Sequence, residues 1–216
     1  MQWIDHHKLQ GQHAFLGASK PTWMNWDRDT LITRYNNSHA ADVGTAIHNL
    51  AQQLISARIR ITESDIPLIK LTVWRDVPKA YPNGFDVNLI LRNLVGYVND
   101  AIGFHMDPEI ILYYSDNCFG TTDAIHYDEK NNVLRIHDLK TGTTQVHDEQ
   151  LLIYCALFCL EYMKDPMKMS FICRFYQNCE PREFCPESKD IKDVMNLIII
   201  NDKQINSYLK SAELDN

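Results

Sequence analysis

The chain has 216 residues, 45% of them hydrophobic and 23% charged, with a formal net charge of −7. That length suits one domain able to bury a sizeable core without disulfides or structural metals, and no apolar run approaches the roughly 20 residues a membrane span needs. Residues 1–108 carry ten Lys/Arg and ten Asp/Glu, whereas residues 109–216 carry eleven and eighteen. This balance excludes coating nucleic acid through bulk positive charge, but it leaves room for an acidic cation site beside a local basic groove.

The N-terminus, "MQWIDHHKLQ", lacks the basic-then-apolar pattern of a secretory signal. The six cysteines (Cys118, Cys155, Cys159, Cys173, Cys179 and Cys185) form no C-x-x-C pair. They read as reduced thiols of an intracellular, cytoplasmic protein with no membrane partner.

In chain order, residues 1–37 read as irregular, with Trp3, Trp23 and Trp26 as anchors and a short helix over 27–35. Residues 40–58 read as a helix. Val43, Ile47, Leu50 and Leu54 recur at the spacing of one buried face, and Gly44, His48 and Gln52 form the stripe beside it. Residues 63–82 are ambiguous and punctuated by prolines, and 84–102 read as helix.

Strands follow at 109–116, 118–127 and 132–141. The polar turn "DEKNN" makes the last two antiparallel neighbours. A helix over 148–163 has Asp148 as its N-cap and Leu151, Cys155, Phe158 and Tyr162 along one face. A fourth strand covers 167–177, and a final helical segment covers 187–212. This order predicts a single α/β (α+β) domain: a mixed central sheet flanked by helices, with its core over about 38–177.

Centring the hairpin on its turn places Asp123 opposite residue 137 or 138. Directly opposed residues on paired strands have Cβ atoms about 5 Å apart. Two carboxylates so close repel unless a cation sits between them, and Mg²⁺ and Mn²⁺ prefer such oxygen ligands. Lys140 shares the face of Asp138. An ammonium there can orient water and offset charge developing on a phosphate. Asp138 and Lys140 by themselves read as a surface ion pair of little worth. The surrounding set changes that reading: "GTAIH" (44–48), "GTTDAIHYD" (120–128), "IHDLKTG" (136–142) and "QLLIY" (150–154), in that order.

This ordered set resembles the PD-(D/E)xK nuclease superfamily, in its RecB-like branch that includes phage exonucleases. The resemblance covers roughly residues 38–163. It implies a restriction-endonuclease-like core and a DNA nuclease, more an exonuclease than an endonuclease, dependent on Mg²⁺ or Mn²⁺ and serving recombination, repair or replication. Asp123, Asp138 and Lys140 would be catalytic. His48, Asp123, Asp138 and the backbone carbonyl of Leu139 would hold the metal. Gln150 and Tyr154, one turn apart on a helix, would contact the DNA strand or hold Lys140. Lys20, Arg28 and Arg34 would touch phosphates, and Trp23 and Trp26 are candidates for stacking on unpaired bases.

DNA is the implied partner, with a single-strand annealing or binding protein and a homo-oligomer as further candidates. Many relatives carry a glutamate where this chain has Gln52, so metal charge balance is expected to rest on Asp123 and Asp138. No cysteine precedes Cys118, so no iron–sulfur cluster is expected. The competing reading is a non-catalytic nucleic-acid- or protein-binding module that keeps the fold. A third is a carboxylate-metal hydrolase of another fold, which needs extra His or Asp ligands from outside the hairpin.

Overall fold

The computed structural model describes residues 5–9, 14–73, 86–142 and 147–214. Five strands form one mixed sheet in the order β1-β2-β3-β4-β5: β1 (Asp107–Ser115), β2 (Cys118–Asp128), β3 (Val133–Leu139), β4 (Ser170–Gln177) and β5 (Glu180–Phe184). The β1–β2, β2–β3 and β4–β5 pairs are antiparallel. The β3–β4 pair is parallel, joined by a crossover through α4 (Glu149–Glu161). The antiparallel hairpin expected around 128–132 is present, with Asp128 paired to Val133.

Helices cover both faces. α1 (Arg28–Ser56), α2 (Ile66–Val73) and α3 (Val87–Gly103) bury Val43, Ile47, Leu91 and Leu94 with Ala124, Leu139 and Tyr176 of the sheet. On the other face, α4 and α5 (Ser188–Leu214) bury Leu151, Cys155 and Ile191 with Leu134, Ile136, Phe171 and Phe175. β3 is thus central and packed on both sides, and its polar members His137 and Asp138 are buried with its apolar ones. Cys155 and Cys159 are core residues as expected, and Cys173 joins them, with its sulfur 3.7 Å from that of Cys155.

Several expectations are corrected. The short helix expected over 27–35 and the helix expected over 40–58 are one continuous helix, α1. It starts at Arg28, capped by Asp27, whose carboxylate accepts from the Thr30 amide at 2.7 Å. Asn36, Asn37 and Ser38 are weak helix formers and suggest a boundary, but an established ladder of hydrogen bonds carries the helix through them. Its most buried stripe is Val43, Ile47, Ala51 and Ile55, with Leu50 and Leu54 at the edge.

β5 was not expected. It contains Pro181, shows no buried alternation and is an edge strand, where proline is tolerated. It is held by Glu183, which accepts from Arg174 Nη2 at 2.6 Å. Asp148 occupies the N-cap position of α4 without a capping hydrogen bond, because its carboxylate is paired with Arg182. Within the ambiguous 63–82 stretch, α2 is helical, with Pro67 in its first turn, where a missing amide costs nothing. Residues 74–82 and the anchor Trp3 lie outside the described residues. No helix among the described residues is long and apolar enough to cross a membrane.

His137 is fully buried beneath α3, its Nδ1 3.2 Å from Tyr176 Oη, which donates to Asp100 Oδ2 at 2.7 Å. Burial, with Arg174 and Arg135 nearby, lowers its pKa to about 3. A depressed histidine pKa means the unfolded chain binds the extra proton first, so this residue's contribution is intact above about pH 6.5 and is lost as pH falls toward 3. His137→Gln should therefore cost progressively less stability, relative to the parent, as pH falls through that window, by up to roughly 1.4 kcal/mol per pH unit. Paired urea unfolding curves between pH 3.5 and 7.5 measure this difference, and a pH-independent gap would contradict it.

Candidate functional site at the β2–β3 hairpin

The register of β2 on β3 pairs Ala124 with His137. One step further, Asp123 comes opposite Asp138, on the sheet face that carries Ile125 and Ile136. Asp123 and Asp138 are thus neighbours across the hairpin. Asp123 Oδ2 accepts from the Leu139 amide at 2.7 Å, which fixes the carboxylate against the end of β3. Leu139 contributes that amide to the site; no contact of its carbonyl bears on the ligand role expected for it.

Asp138 is 2% exposed. Lys140 Nζ lies 2.9 Å from its Oδ2 and 3.3 Å from its Oδ1, and only the latter approach has hydrogen-bond geometry. Oδ2 is therefore a buried carboxylate oxygen compensated by the ammonium's charge rather than by an aligned hydrogen bond. The other partner of Lys140 comes from α4: its ammonium donates to Gln150 Oε1 at 2.6 Å, and Gln150 Nε2 donates to Tyr154 Oη at 3.3 Å. The two α4 residues expected near the site are joined to Lys140 in one chain of hydrogen bonds.

α1 brings His48 from the opposite layer, with Nδ1 3.4 Å from Asp123 Oδ1. The hairpin argument stopped at two strands and missed Glu109. Glu109 on β1 falls opposite Asp123, between the pairs Pro108–Ala124 and Ile110–Thr122. One ligand atom from each of His48, Glu109 and Asp123 lies within 4.8 Å of the others. Counting back across the Asp116–Asn117 turn from the Ser115–Cys118 pair would put Ile110 opposite Asp123; the register shift between Tyr113 and Ser115 moves Glu109 there instead, and no local pattern announces that shift. Gln52 leaves the helix without a carboxylate, and β1 supplies one instead.

The electrostatics record the crowding. Burial first, and Asp123 second, push Asp138 up to about 6 despite Lys140. Burial and Asp123 also raise Glu109. Burial opposes charge on His48, but Asp123, Glu109 and Asp138 outweigh it and hold its pKa above the ordinary histidine value. Opposed carboxylates with an imidazole beside them are a donor set that fits a divalent cation.

Two glycines show why the motifs read as they do. A Cβ at Gly120 would lie 2.9 Å from Tyr154 Cε1, and a Cβ at Gly44 would lie 2.9 Å from Thr141 Oγ1. Gly120 lets α4 bring Tyr154 down onto β2. Gly44 lets α1 approach the loop after Lys140. The "GTAIH" and "GTTD" signatures thus describe contacts with the other two motifs.

The basic residues of the N-terminal segment form a separate group. Lys20 and Arg34 line a concavity of about 860 Å³ with Phe15 and Trp26. Arg34 lies 4.8 Å over the Trp26 ring, and Trp23 Nε1 donates to the Gly17 carbonyl at 3.1 Å. Arg28 is exposed at the first position of α1. No hydrogen bond or ion pair among the described residues joins Lys20, Arg28 or Arg34 to the carboxylates. No family model matches this chain, and no curated protein was found to be similar to it.

Two outcomes follow from this packing and charge. Gly120→Ala should destabilise the fold by roughly 1–3 kcal/mol through overpacking. Truncating Tyr154 to Ala should relieve most of that cost in a double-mutant cycle; full additivity would contradict the contact. In metal-free protein, the raised pKa of Asp138 means the fold binds its proton more tightly than the unfolded chain. Stability from this group then falls as pH rises from about 4 to about 6. Asp138→Asn should gain on the parent across that interval, measured by the same unfolding curves, and lose the advantage below it.

Proposed function

We propose that this chain is a divalent-metal-dependent DNA nuclease, acting as an exonuclease on phosphodiester bonds within the cytoplasm, and that its motifs place it with the RecB-like PD-(D/E)xK enzymes. The observation that carries the reading is the opposed pair Asp123 and Asp138 with Lys140 held between Asp138 and Gln150. A surface ion pair would need neither the burial of Asp138 nor a glutamine aligning the ammonium from another element.

In this reading, Asp123, Asp138 and His48 hold the cation, with the Leu139 carbonyl as a further oxygen ligand. The bound ion supplies Lewis acidity toward a phosphoryl oxygen and acidifies water. Lys140 sits where its ammonium can orient the attacking water and offset charge as it builds on the phosphate. Gln150 keeps that ammonium in place, at the cost of one short hydrogen bond rather than a second charge. Tyr154, half-buried against Gly120, presents its hydroxyl beside Gln150 for a strand lying across the end of α4. The concavity of Lys20, Arg34 and Trp26 offers cations and an aromatic face to a strand, combining the phosphate and stacking contacts by which single strands are held. DNA is the partner; a single-strand annealing or binding protein and further copies of the chain are the remaining partners proposed.

The test is an assay on end-labelled single-stranded, double-stranded and circular DNA with Mg²⁺ or Mn²⁺. Linear DNA should be degraded from an end and circular DNA spared. Lys140→Ala and Asp123→Ala should each lower the rate by about 100-fold or more, with circular dichroism unchanged. Undiminished cleavage by both variants would sink the proposal.

A further inference from the structure

Strand register sets four residues of the site face in one row across the sheet. Asp123 lies opposite Asp138, Asp138 opposite Phe175, and Phe175 opposite Arg182. The row ends on β5, an edge strand with no buried alternation of its own. Two cations share the ring in the row. Lys140 Nζ lies 5.8 Å from the Phe175 centroid, and Arg182 Cζ lies 5.2 Å from it. Phe175 is buried and stacks on Phe184, so the ring is a fixed floor for both. Neighbouring strands are about 4.8 Å apart, which puts Arg182 roughly 10 Å from Asp138 along the row.

The two cations differ in what holds them. Lys140 is tied to the buried Asp138 and to Gln150. Arg182 is 51% exposed, and its ion-pair partner among the described residues is Asp148, itself 43% exposed. An ion pair open to water at both ends is worth little, so another anion can replace Asp148 at small cost. While paired, Asp148 caps no amide of α4. A released carboxylate at that position can accept from the first turn, which offsets the exchange further. Beside Arg182 lies a concavity of about 350 Å³, lined by Phe175, Gln177, Asn178, Glu180 and Pro181 as well. A guanidinium presents a planar fork that meets two phosphate oxygens at once.

We infer that Arg182 is a phosphate-binding residue of this site. It takes a phosphodiester flanking the one held at Asp123, Asp138 and Lys140, and exchanges Asp148 for it. This deepens the nuclease reading and rests on it for the identity of the anion as a DNA strand. The strand runs along the row, from the carboxylate pair past Lys140 and over Phe175 to β5. β5 thereby gains a role that its packing does not explain, which is to carry one cation to the site face. The acidic second half of the chain supplies this positive charge locally rather than in bulk.

The test is binding of a fluorescein-labelled single-stranded oligonucleotide to the full chain, followed by anisotropy between about 50 and 200 mM KCl. Ca²⁺ replaces Mg²⁺ so that the strand is held and not cut. Arg182→Gln should weaken binding by about tenfold. It should also lower the slope of log K against log salt by about 0.7, the value of one phosphate contact on a single strand. Arg182→Lys keeps the charge and should keep most of the slope. Asp148→Asn frees the guanidinium and leaves a side chain able to cap α4, so it should tighten binding by about two- to fivefold. A pair that merely fastens β5 to α4 gives the opposite sign: Asp148→Asn and Arg182→Gln would then both bind more weakly than wild type, and that result overturns the assignment. Unchanged affinity and slope in Arg182→Gln overturn it too; if wild type still cleaves DNA, the nuclease reading stands without Arg182. Wild type that neither binds nor cleaves the strand with Mg²⁺, Mn²⁺ or Ca²⁺ removes both.

Discussion

Carboxylate crowding at the mouth of the β2–β3 hairpin is the constraint around which the rest of the chain is arranged. Asp123 and Asp138 are forced together by strand register, and Glu109 is brought to the same place from β1. Left in water, each would be solvated cheaply. Held in the sheet, they repel, and burial deepens the penalty because it weakens screening. The fold answers with one ammonium on Asp138, one imidazole by Asp123 and one amide from Leu139. These leave a deficit of positive charge beside Asp123 that a divalent ion is suited to fill.

Each helical layer contributes to that answer for a packing reason. α1 buries Val43, Ile47, Ala51 and Ile55, and the same helical phase turns His48 toward the end of β2. α4 buries Leu151 and Cys155, which leaves Gln150 and Tyr154 on the adjoining stripe, facing Lys140 and Gly120. The polar groups are thus placed by apolar ones. At Gly44 and Gly120 a Cβ would push the layers apart.

A second polar network lies on the opposite face of β3. His137 alternates with Asp138 and points into the layer of α3, where Tyr176, Asp100, Arg174 and Glu183 are linked by hydrogen bonds. It fastens β3, β4 and β5 to α3. Its histidine is kept neutral by burial and by two nearby arginines. The central strand therefore carries the Asp138 carboxylate of the candidate site on one face and an anchoring network on the other, one residue apart.

How much of this was legible in the sequence depended on how local each feature is. The hairpin pair was readable because a short turn fixes antiparallel register within a few residues. The buried phase of α1 was readable over 43–47, and the α4 stripe was readable from its spacing. The continuity of α1 from its first turns into residues 40–58 was obscured by Asn36, Asn37 and Ser38, since intrinsic propensity is a weak guide inside a long helix. β5 carried no pattern to read, because an edge strand with both faces exposed need not alternate.

The sequence by itself determined the types of group at the site, their order along the chain and the face that Asp123, Asp138 and Lys140 share. Side-chain alternation and helical phase are properties of the backbone alone. Only the tertiary structure decided that Glu109 joins His48 and Asp123, that Lys140 takes Gln150 as its second partner, and that Gly44 and Gly120 admit their neighbours. Those contacts join elements far apart in the chain. Their distances are set by how two apolar layers close on the sheet, which no local pattern encodes.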